Sequence, residues 1–258
     1  REVKIHENSS AGIFFGVQTL RQLVEGSGPN SVLPQIEIHD WPALAYRGTM
    51  IDMSHGPLPT EKEIKRQLDF LARWKENQFY IYCEACIELS GYPLLNPNAR
   101  LTKDEVRRIV AYGRQRHIDV IPNLDLYAHM HDLFRIEKYS DLSAPVRGME
   151  FDPDNPNVLP LLSDWINQFA DLFPSPFVNI GFDETGRQAT ASAATIATLF
   201  TKQLTTVTRL FQGRGKHVIA WDDAMVKYPQ VIENLPPGLT AVAWYCPPDD
   251  PTCSRSLE

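Results

Sequence analysis

The chain has 258 residues, of which 43% are hydrophobic and 22% charged, and its formal net charge is −7. These proportions are ordinary for a globular protein, and the negative charge argues against nucleic acid and anionic membrane surfaces as partners. No apolar run approaches the ~20 residues that a membrane-spanning helix requires. No signal peptide is recognisable, and the sequence leaves the compartment open between cytoplasm, bacterial periplasm and secretion. It also leaves the oligomeric state open.

The first 44 residues contain two short alternating segments and one amphipathic helix. Residues 1–5 alternate between polar and apolar side chains, and residues 35–38 alternate like an exposed strand. Apolar side chains recur every three or four positions over residues 11–24, which predicts a helix that ends at the glycines that follow. We interpret residues 1–44 as the C-terminal remnant of an accessory α+β domain with its linker.

Strands and amphipathic helices alternate through residues 45–258. The strands are predicted over residues 47–52, 78–83, 119–126, 177–183, 217–222 and 239–245. Helical stripes separate them, and two of these helices begin with predicted capping boxes, at Thr60–Glu63 and Thr102–Glu105. This alternation favours a parallel sheet.

Most predicted strands end in acidic or aromatic residues, which favours a (β/α)8 TIM-type barrel with its active site at the carboxyl ends of the strands. A doubly wound sheet is the alternative, but it usually carries a Gly-rich phosphate loop after its first strand, and this sequence has none there. A complete barrel needs eight strands, and six are predicted. We therefore expect residues 45–258 to be a barrel catalytic domain without its last two strands, in a sequence cut at both ends from a larger enzyme.

The fourth predicted strand ends in two adjacent carboxylates, Asp183 and Glu184. A helix N-cap is the structural alternative for Asp183, since Asp is a common cap where a helix follows a strand. Neighbouring residues on a strand point to opposite faces, so the pair does not match the symmetric acid and nucleophile of an ordinary retaining glycosidase. Adjacent carboxylates favour a division of labour, in which one protonates the leaving group and the other holds the nucleophile.

Four cysteines raise the question of a metal or redox site. Cys83 and Cys86 form a C-x-x-C, but Cys246 and Cys253 are too far apart to complete a zinc ribbon. Cys83 is also predicted at a strand end and not at a helix N-terminus, where a thiol would be activated. The sequence therefore predicts neither a metal nor a cofactor.

The segments at the strand ends form an ordered set. The most specific is Phe177-Val178-Asn179-Ile180-Gly181-Phe182-Asp183-Glu184. Others are Gly12–Leu23, Arg47–Ser54, Val120–Asp125 with His129, Val218–Asp222 and Val242–Trp244. In order and spacing, over nearly the whole chain, they resemble the β-N-acetylhexosaminidases of glycoside hydrolase family 20.

The resemblance implies release of terminal non-reducing β-linked N-acetylhexosamine from a glycan or amino-sugar substrate, with retention and with assistance from the substrate. Glu184 would act as general acid and then as base, and it must begin protonated, which burial beside Asp183 favours. Asp183 would orient the substrate's own 2-acetamido group as its oxygen attacks the anomeric carbon to form an oxazolinium ion. The resemblance does not distinguish N-acetylglucosamine from N-acetylgalactosamine.

Further site residues are expected around this pair. Substrate contacts are expected from Arg47, His55, Trp221, Asp222, Trp244 and Tyr245. Supporting positions behind the pair are expected for His129, Asp125 and Glu84. Taken singly, a Trp at a strand end is more often a core residue, a lone His is more often structural, and Asp222 fits a helix cap equally well.

Three departures from the family pattern bear on function. His55 stands where the family usually has an Arg that binds the outer hydroxyls of the sugar, and His does not replace a bidentate Arg contact. The family's His-Trp-His run on the second strand is absent, and Glu84 is the carboxylate expected nearby. The last two strands are missing. A catalytically impaired carbohydrate-binding relative is therefore the alternative, whereas an aldolase would need a Lys at a strand end, and no predicted strand ends in one.

Overall fold

Six parallel strands form the framework of the molecule. The structure is a computed structural model that describes residues 2–185 and 191–243. Within these ranges the strands are β1 Gly48–Asp52, β2 Gln78–Cys83, β3 Asp119–Leu124, β4 Phe177–Asn179, β5 His217–Trp221 and β6 Leu239–Val242. Each strand pairs with the next in one sheet of order β1-β2-β3-β4-β5-β6. This sequential parallel order confirms the prediction of an incomplete (β/α)8 barrel.

Helices connect the strands. They are α1 Ser10–Gln22, α2 Glu61–Arg73, α3 Lys103–Arg114, α4 His131–Phe134, α5 Val158–Leu172, α6 Ala193–Gln212 and α7 Asp223–Lys227. Three segments are 3₁₀ helices in the described residues. One is a single turn at Gly28–Asn30, and two are longer, at Glu137–Leu142 and Pro229–Asn234. The apolar periodicity predicted the long helices but not α4 and α7, which are too short to show a period. In the part of the chain that the structure describes, no helix is long and apolar enough to cross a membrane.

Some predicted strand boundaries are wrong. Residues 2–5 and 35–38 are not strands, because an alternating pattern forms a ladder only where a neighbouring strand supplies hydrogen bonds. β3 ends two residues earlier than predicted, at Leu124, and β4 ends four residues earlier, at Asn179. The early end of β4 matters most, because it determines the backbone that carries the two carboxylates.

Threonine caps begin helices α2 and α3. The Thr102 hydroxyl accepts from the backbone N–H of Glu105, and the Glu105 carboxylate accepts from the backbone N–H of Thr102, which confirms a complete capping box. At α2 the Thr60 hydroxyl accepts from the backbone N–H of Glu63. The Glu63 carboxylate pairs with the guanidinium of Arg66 instead, so the second half of this predicted box is wrong.

The core lies between the sheet and the apolar stripes of the long helices. Fully buried side chains of the helices include Ile64, Leu68, Val106, Ile109, Leu162, Trp165, Phe200 and Leu204. Phe200 on α6 packs edge-on against Phe182, at 5.4 Å between ring centroids, and against Tyr127, at 6.0 Å. Phe182 and Tyr127 also stack on each other at 5.5 Å. We call these three residues the aromatic cluster, and it supports the loops that follow β3 and β4.

We expect Phe200→Ala to lower the free energy of unfolding by ~3–5 kcal/mol, the usual cost of removing a buried Phe, since its side chain is 0% exposed. Chemical denaturation measures this change. Phe70 on α2 is 56% exposed and provides the matched control, for which Phe70→Ala should change stability by no more than ~0.5 kcal/mol. Equal losses in the two variants would contradict the placement of Phe200 in the core.

Candidate active site

Asp183 and Glu184 lie on a bent segment directly after β4. Pairing with β5 continues for two residues, since the N–H of Ile180 donates to Ile219 O at 2.9 Å and the N–H of Trp221 donates to Gly181 O at 3.0 Å. The backbone then leaves the strand with positive φ angles at Gly181 (74°), Phe182 (74°) and Glu184 (48°). Strand alternation therefore does not apply here, and the prediction that the two carboxylates point to opposite faces is wrong.

Gly181 makes the bend possible. Its φ of +74° is a conformation that glycine adopts freely. A Cβ at this position would lie 1.9 Å from Oδ1 of Asp125 and 3.0 Å from the backbone O of Leu124. Any larger residue would therefore push the β4 loop away from the buried carboxyl group of Asp125.

His129, in the loop after β3, contacts both carboxylates. Its Nε2 lies 3.4 Å from Oδ2 of Asp183 and 3.5 Å from Oε2 of Glu184, and its Nδ1 lies 3.6 Å from Oε1 of Glu84. The Asp183 carboxylate beside Nε2 is the largest cause of a raised pKa of His129, burial opposes the rise, and the negative charges of Glu84 and Glu184 add to it. The imidazole therefore favours its protonated form between three acidic groups.

Glu84, at the end of β2, is the least exposed of these three carboxylates, with its side chain 4% exposed. The Tyr82 hydroxyl donates to its Oε1 at 3.1 Å. Two further imidazoles approach it, with Nε2 of His55 at 3.4 Å and Nδ1 of His131 at 3.8 Å. Its backbone N–H donates to the Ser54 hydroxyl at 2.9 Å. Glu84 thus links the loop after β1 to His129.

Asp52 and His55 extend this set of contacts to the end of β1. Nδ1 of His55 lies 2.8 Å from Oδ2 of Asp52, and its ring stacks on Tyr82 at 5.9 Å. Burial opposes ionisation of Asp52, but hydrogen bonds from the backbone of Ser54 and from His55 outweigh it and lower the pKa of Asp52. The structure therefore brings His55, Glu84, His129, Asp183 and Glu184 together, and we call these five residues the acid–histidine cluster.

Asp125 lies behind the cluster and is 1% exposed. Burial and then the negative charge of Asp183 raise the pKa of Asp125 well above its ordinary value. Its neutral, protonated form is therefore favoured. This keeps the base of the site from accumulating a further negative charge.

Arg47 does not lie with the cluster. It precedes β1 at the amino end of the sheet, whereas Asp52 at the other end of the strand lies at the cluster. Its guanidinium donates to the backbone oxygens of Lys75, at 2.8 and 3.0 Å, and of Leu44, at 2.6 Å. The expectation of a substrate contact is therefore wrong for Arg47, because a strand separates its side chain from the carboxyl ends, and it serves to fix the segment before β1.

The end of β5 supplies the remaining described site residues. Trp221 and Asp222 are partly buried there, beside Gly181 of the bent segment. Trp244 and Tyr245, the other expected substrate contacts, lie outside the described residues. Asp223 begins α7, and its Oδ2 accepts the backbone N–H of Glu184 at 2.8 Å.

Sequence reasoning missed Asp223 and Tyr82 as supporting residues. Both carried a signal in the sequence. Asp223 follows Trp221 and Asp222 directly, and Tyr82 is two residues before Glu84 and so shares its face of the chain. Only the folded chain shows that one holds the Glu184 backbone and the other donates to Glu84.

The predicted absence of a metal site is not contradicted within residues 2–185 and 191–243, where no group of three or more His, Cys, Asp and Glu side chains is arranged to hold a metal ion. Cys83 and Cys86 are both buried free thiols. Burial raises the pKa of the Cys83 thiol, which disfavours the reactive thiolate.

Chemically, the site combines a buried carboxylate, Asp183, with a neighbouring carboxyl group, Glu184, whose side chain is 43% exposed and open to a ligand.

The chain matches two models of one protein family. The catalytic domain of glycosyl hydrolase family 20 matches residues 44–249, and domain 2 of the same family matches residues 1–41. The chain is also similar to the β-hexosaminidase of Porphyromonas gingivalis, at 29% identity over 95% of this chain and 36% of that protein. The β-hexosaminidase of Vibrio furnissii is 26% identical over 87% of this chain and 44% of that protein. The chain thus spans less than half the length of these curated relatives.

Solved structures show the same fold. The GH20 β-N-acetylhexosaminidase from Streptomyces coelicolor A3(2) aligns with a TM-score of 0.78 at 22% identity, over 95% of this chain and 53% of that one. A mutant Streptomyces plicatus β-hexosaminidase in complex with its product GlcNAc aligns with a TM-score of 0.80 at 23% identity, over 96% of this chain and 53% of that one. At these identities the likeness is one of fold.

We expect the imidazole of His129 to titrate above the ~6.5 of an unperturbed His, and Asp183→Asn to lower its pKa, because the neighbouring Asp183 carboxylate is the largest cause of the shift. Because folding raises the pKa of His129, the protonated imidazole stabilises the folded protein. This stabilisation is complete below the pKa of His129 in the unfolded chain and is lost as the pH rises through its pKa in the folded protein. NMR titration of the imidazole signals measures both. His217, at the opposite end of β5, is the internal control, and its signals should be the same in both proteins. An unchanged His129 titration in Asp183→Asn would contradict the described contact.

Proposed function

The chain belongs to glycosyl hydrolase family 20, and on that premise we propose that it removes terminal non-reducing β-linked N-acetylhexosamine from glycans. The single observation that carries this proposal is the approach of Asp183 and Glu184 to the same nitrogen of one imidazole, at 3.4 and 3.5 Å from Nε2 of His129. Two carboxyl groups that share one neighbour but differ in exposure, at 11% and 43%, fit two different roles in a reaction.

We propose a retaining, substrate-assisted mechanism in which the two carboxyl groups have different roles. Glu184 donates its proton to the glycosidic oxygen as the bond to the anomeric carbon breaks. The acetamido oxygen of the substrate attacks the same carbon from the other face, and Asp183 accepts the hydrogen bond of the acetamido N–H. Glu184 then removes a proton from water, which opens the oxazolinium ion and restores the enzyme. Microscopic reversibility supports one group as both acid and base.

The supporting contacts favour this division. Asp183 is 11% exposed on its side chain and faces the protonated His129, so its charge is balanced without solvent. Glu184 is more exposed and can exchange its proton with substrate and water. Glu84 and Asp125 would tune the pair through His129 and through Asp183. Trp221 and Asp222, together with Trp244 and Tyr245, would contact the sugar, and His55 would lie at the far end of the pocket.

We also propose that residues 1–44 belong to an accessory domain and residues 45–258 to the catalytic barrel. The change in burial supports this division. Large apolar side chains are widely exposed in residues 2–44, including Ile36, Trp41 and Leu44. From β1 onwards the same residue types are mostly buried in the core between sheet and helices.

We expect Glu184→Gln to lower kcat on a natural N-acetylhexosamine disaccharide by ~10²–10⁴-fold, because it removes the proton donor. The loss should be smaller on nitrophenyl N-acetylhexosaminides, whose leaving group needs no proton. Asp183→Asn should lower kcat on both substrates, because it weakens stabilisation of the oxazolinium ion. Steady-state kinetics on the full-length protein measures these changes. Full activity of Glu184→Gln on the disaccharide would contradict the proposal, and wild-type binding of sugar without any hydrolysis would favour a carbohydrate-binding relative.

We expect Asp223→Ala to lower kcat by roughly tenfold or more with a smaller effect on KM, because the Glu184 backbone loses the acceptor that fixes its position. Asp223→Asn keeps an acceptor oxygen and should restore most of the rate. Comparing the two variants by steady-state kinetics separates positioning from general loss of structure. Equal activity in the alanine variant and the wild type would show that this hydrogen bond does not position the acid.

A further inference from the structure

His55 lies in the loop after β1, and both of its ring nitrogens face carboxylate oxygens. Nδ1 lies 2.8 Å from Oδ2 of Asp52, and Nε2 lies 3.4 Å from Oε1 of Glu84. The ring stacks on Tyr82, at 5.9 Å between ring centroids and 28° between the ring planes. A sugar hydroxyl would have to displace one of the two carboxylates to reach a ring nitrogen. These contacts therefore direct the imidazole at the protein and not at a substrate.

Asp52 holds the backbone and the ring of His55 together. Its Oδ1 accepts the backbone N–H groups of Ser54, at 2.8 Å, and of His55, at 3.1 Å. Its Oδ2 faces Nδ1 of the imidazole. The partner of one ring nitrogen determines how the other nitrogen is presented, which is how a carboxylate orients a catalytic His. Asp52 thus fixes the direction in which Nε2 points, and that direction is toward Glu84.

The carboxylate of Glu84 needs such neighbours to hold one orientation. The terminal torsion of a Glu side chain is broad, so its rotamer alone does not fix the plane of the carboxylate. The side chain is 4% exposed, and a buried carboxylate is stable where polar groups replace water. The Tyr82 hydroxyl donates to Oε1 at 3.1 Å, and Nδ1 of His131 lies 3.8 Å from Oε2. His55 supplies the contact from the β1 side, on Oε1.

The same oxygen of Glu84 connects His55 to the catalytic pair. Oε1 lies 3.4 Å from Nε2 of His55 and 3.6 Å from Nδ1 of His129. On its other side, Nε2 of His129 lies 3.4 Å from Asp183 and 3.5 Å from Glu184. Carboxylates and imidazoles therefore alternate from the end of β1 to the end of β4. Any effect of His55 on the pair along this chain passes through Glu84 and His129.

We propose that His55 is a positioning residue for the reaction, which is oriented by Asp52 and holds the Glu84 carboxylate against His129. This inference rests on the proposed function, and it gives His55 a different role from the expected substrate contact. A residue that positions the catalytic groups without touching the substrate affects kcat more than KM. The direct and indirect roles of His55 are thus distinguishable by kinetics.

The first test is His55→Ala in the full-length protein, with an N-acetylhexosamine disaccharide as substrate. We expect kcat to fall roughly tenfold with a smaller change in KM, because Glu84 loses one of the contacts that hold it. His39→Ala is the matched control, since Nε2 of His39 lies 3.1 Å from Oε1 of Glu37 in residues 1–44, and it should leave both constants unchanged. A raised KM at unchanged kcat in His55→Ala would show a substrate contact and overturn the proposal.

Two amide variants separate the contact with Glu84 from the contact with Asp52. The amide nitrogen of Gln can take the place of Nε2 and donate to Glu84, whereas that of Asn reaches only the place of Nδ1, beside Asp52. His55→Gln should therefore restore most of the rate that His55→Ala loses, and His55→Asn should not. Equal or better activity in His55→Asn would show that His55 only holds the loop after β1, which would overturn the proposal.

A double-mutant cycle tests whether the effect passes through Glu84. Residues that act through one another have non-additive effects, so His55→Ala should lower kcat by less than about twofold in a Glu84→Gln background. Steady-state kinetics of the two single variants and the double variant measures this coupling. The same fold-change in both backgrounds would overturn the proposal, because His55 would then act independently of Glu84.

A measurement without substrate keeps the two proposals separable. If the wild type hydrolyses no N-acetylhexosaminide, the proposed function is overturned, and NMR titration of the His129 imidazole still tests the positioning. We expect His55→Ala to lower the pKa of His129, because Glu84 is no longer held beside its Nδ1. His55→Gln and His39→Ala should leave that pKa unchanged. An unchanged titration of His129 in His55→Ala would overturn the positioning role whatever the activity.

Discussion

The site depends on the contacts of one imidazole with three carboxylates. His129 lies within 3.6 Å of Glu84, Asp183 and Glu184, and its own side chain is 10% exposed. Buried carboxylates are stable only when an opposite charge or hydrogen bonds replace the water they lose. The raised pKa of His129 favours the protonated imidazole, which can provide that charge for Glu84 and for the pair Asp183 and Glu184. Contacts of this one imidazole thus connect the loops after β2, β3 and β4.

The backbone at these residues adopts conformations that L-amino acids normally avoid. His129, Phe182 and Glu184 all have positive φ, at 57°, 74° and 48°. Each such residue costs of order 1–3 kcal/mol and persists only where its surroundings determine it. The aromatic cluster holds Phe182, and Asp223 holds the Glu184 backbone. The strain therefore lies at the residues that must depart from strand geometry for both carboxylates to face His129.

Much of this arrangement was predictable from the sequence, for a physical reason. Apolar periodicity and caps are local, so the order of strands and helices and the capping box at Thr102 follow from short segments. The strand ends are not local properties. β4 ends at Asn179 because the chain bends around the Asp125 carboxyl, a contact between residues far apart in the sequence. The predicted substrate contact of Arg47 was wrong for a similar reason. A residue's proximity to a strand in the sequence does not show which end of the strand its side chain approaches.

The surroundings of Asp183 and Glu184 favour the division of labour that we propose for them. Asp125 is favoured as a neutral acid, so it neither adds to nor balances the charge of the pair. The cation of His129 is already shared with Glu84. Glu184, with its side chain 43% exposed against 11% for Asp183, is the carboxyl group that a leaving group and water can reach. The contacts that connect the loops thus leave one carboxyl group of the pair open to the proton transfers that the proposed reaction needs.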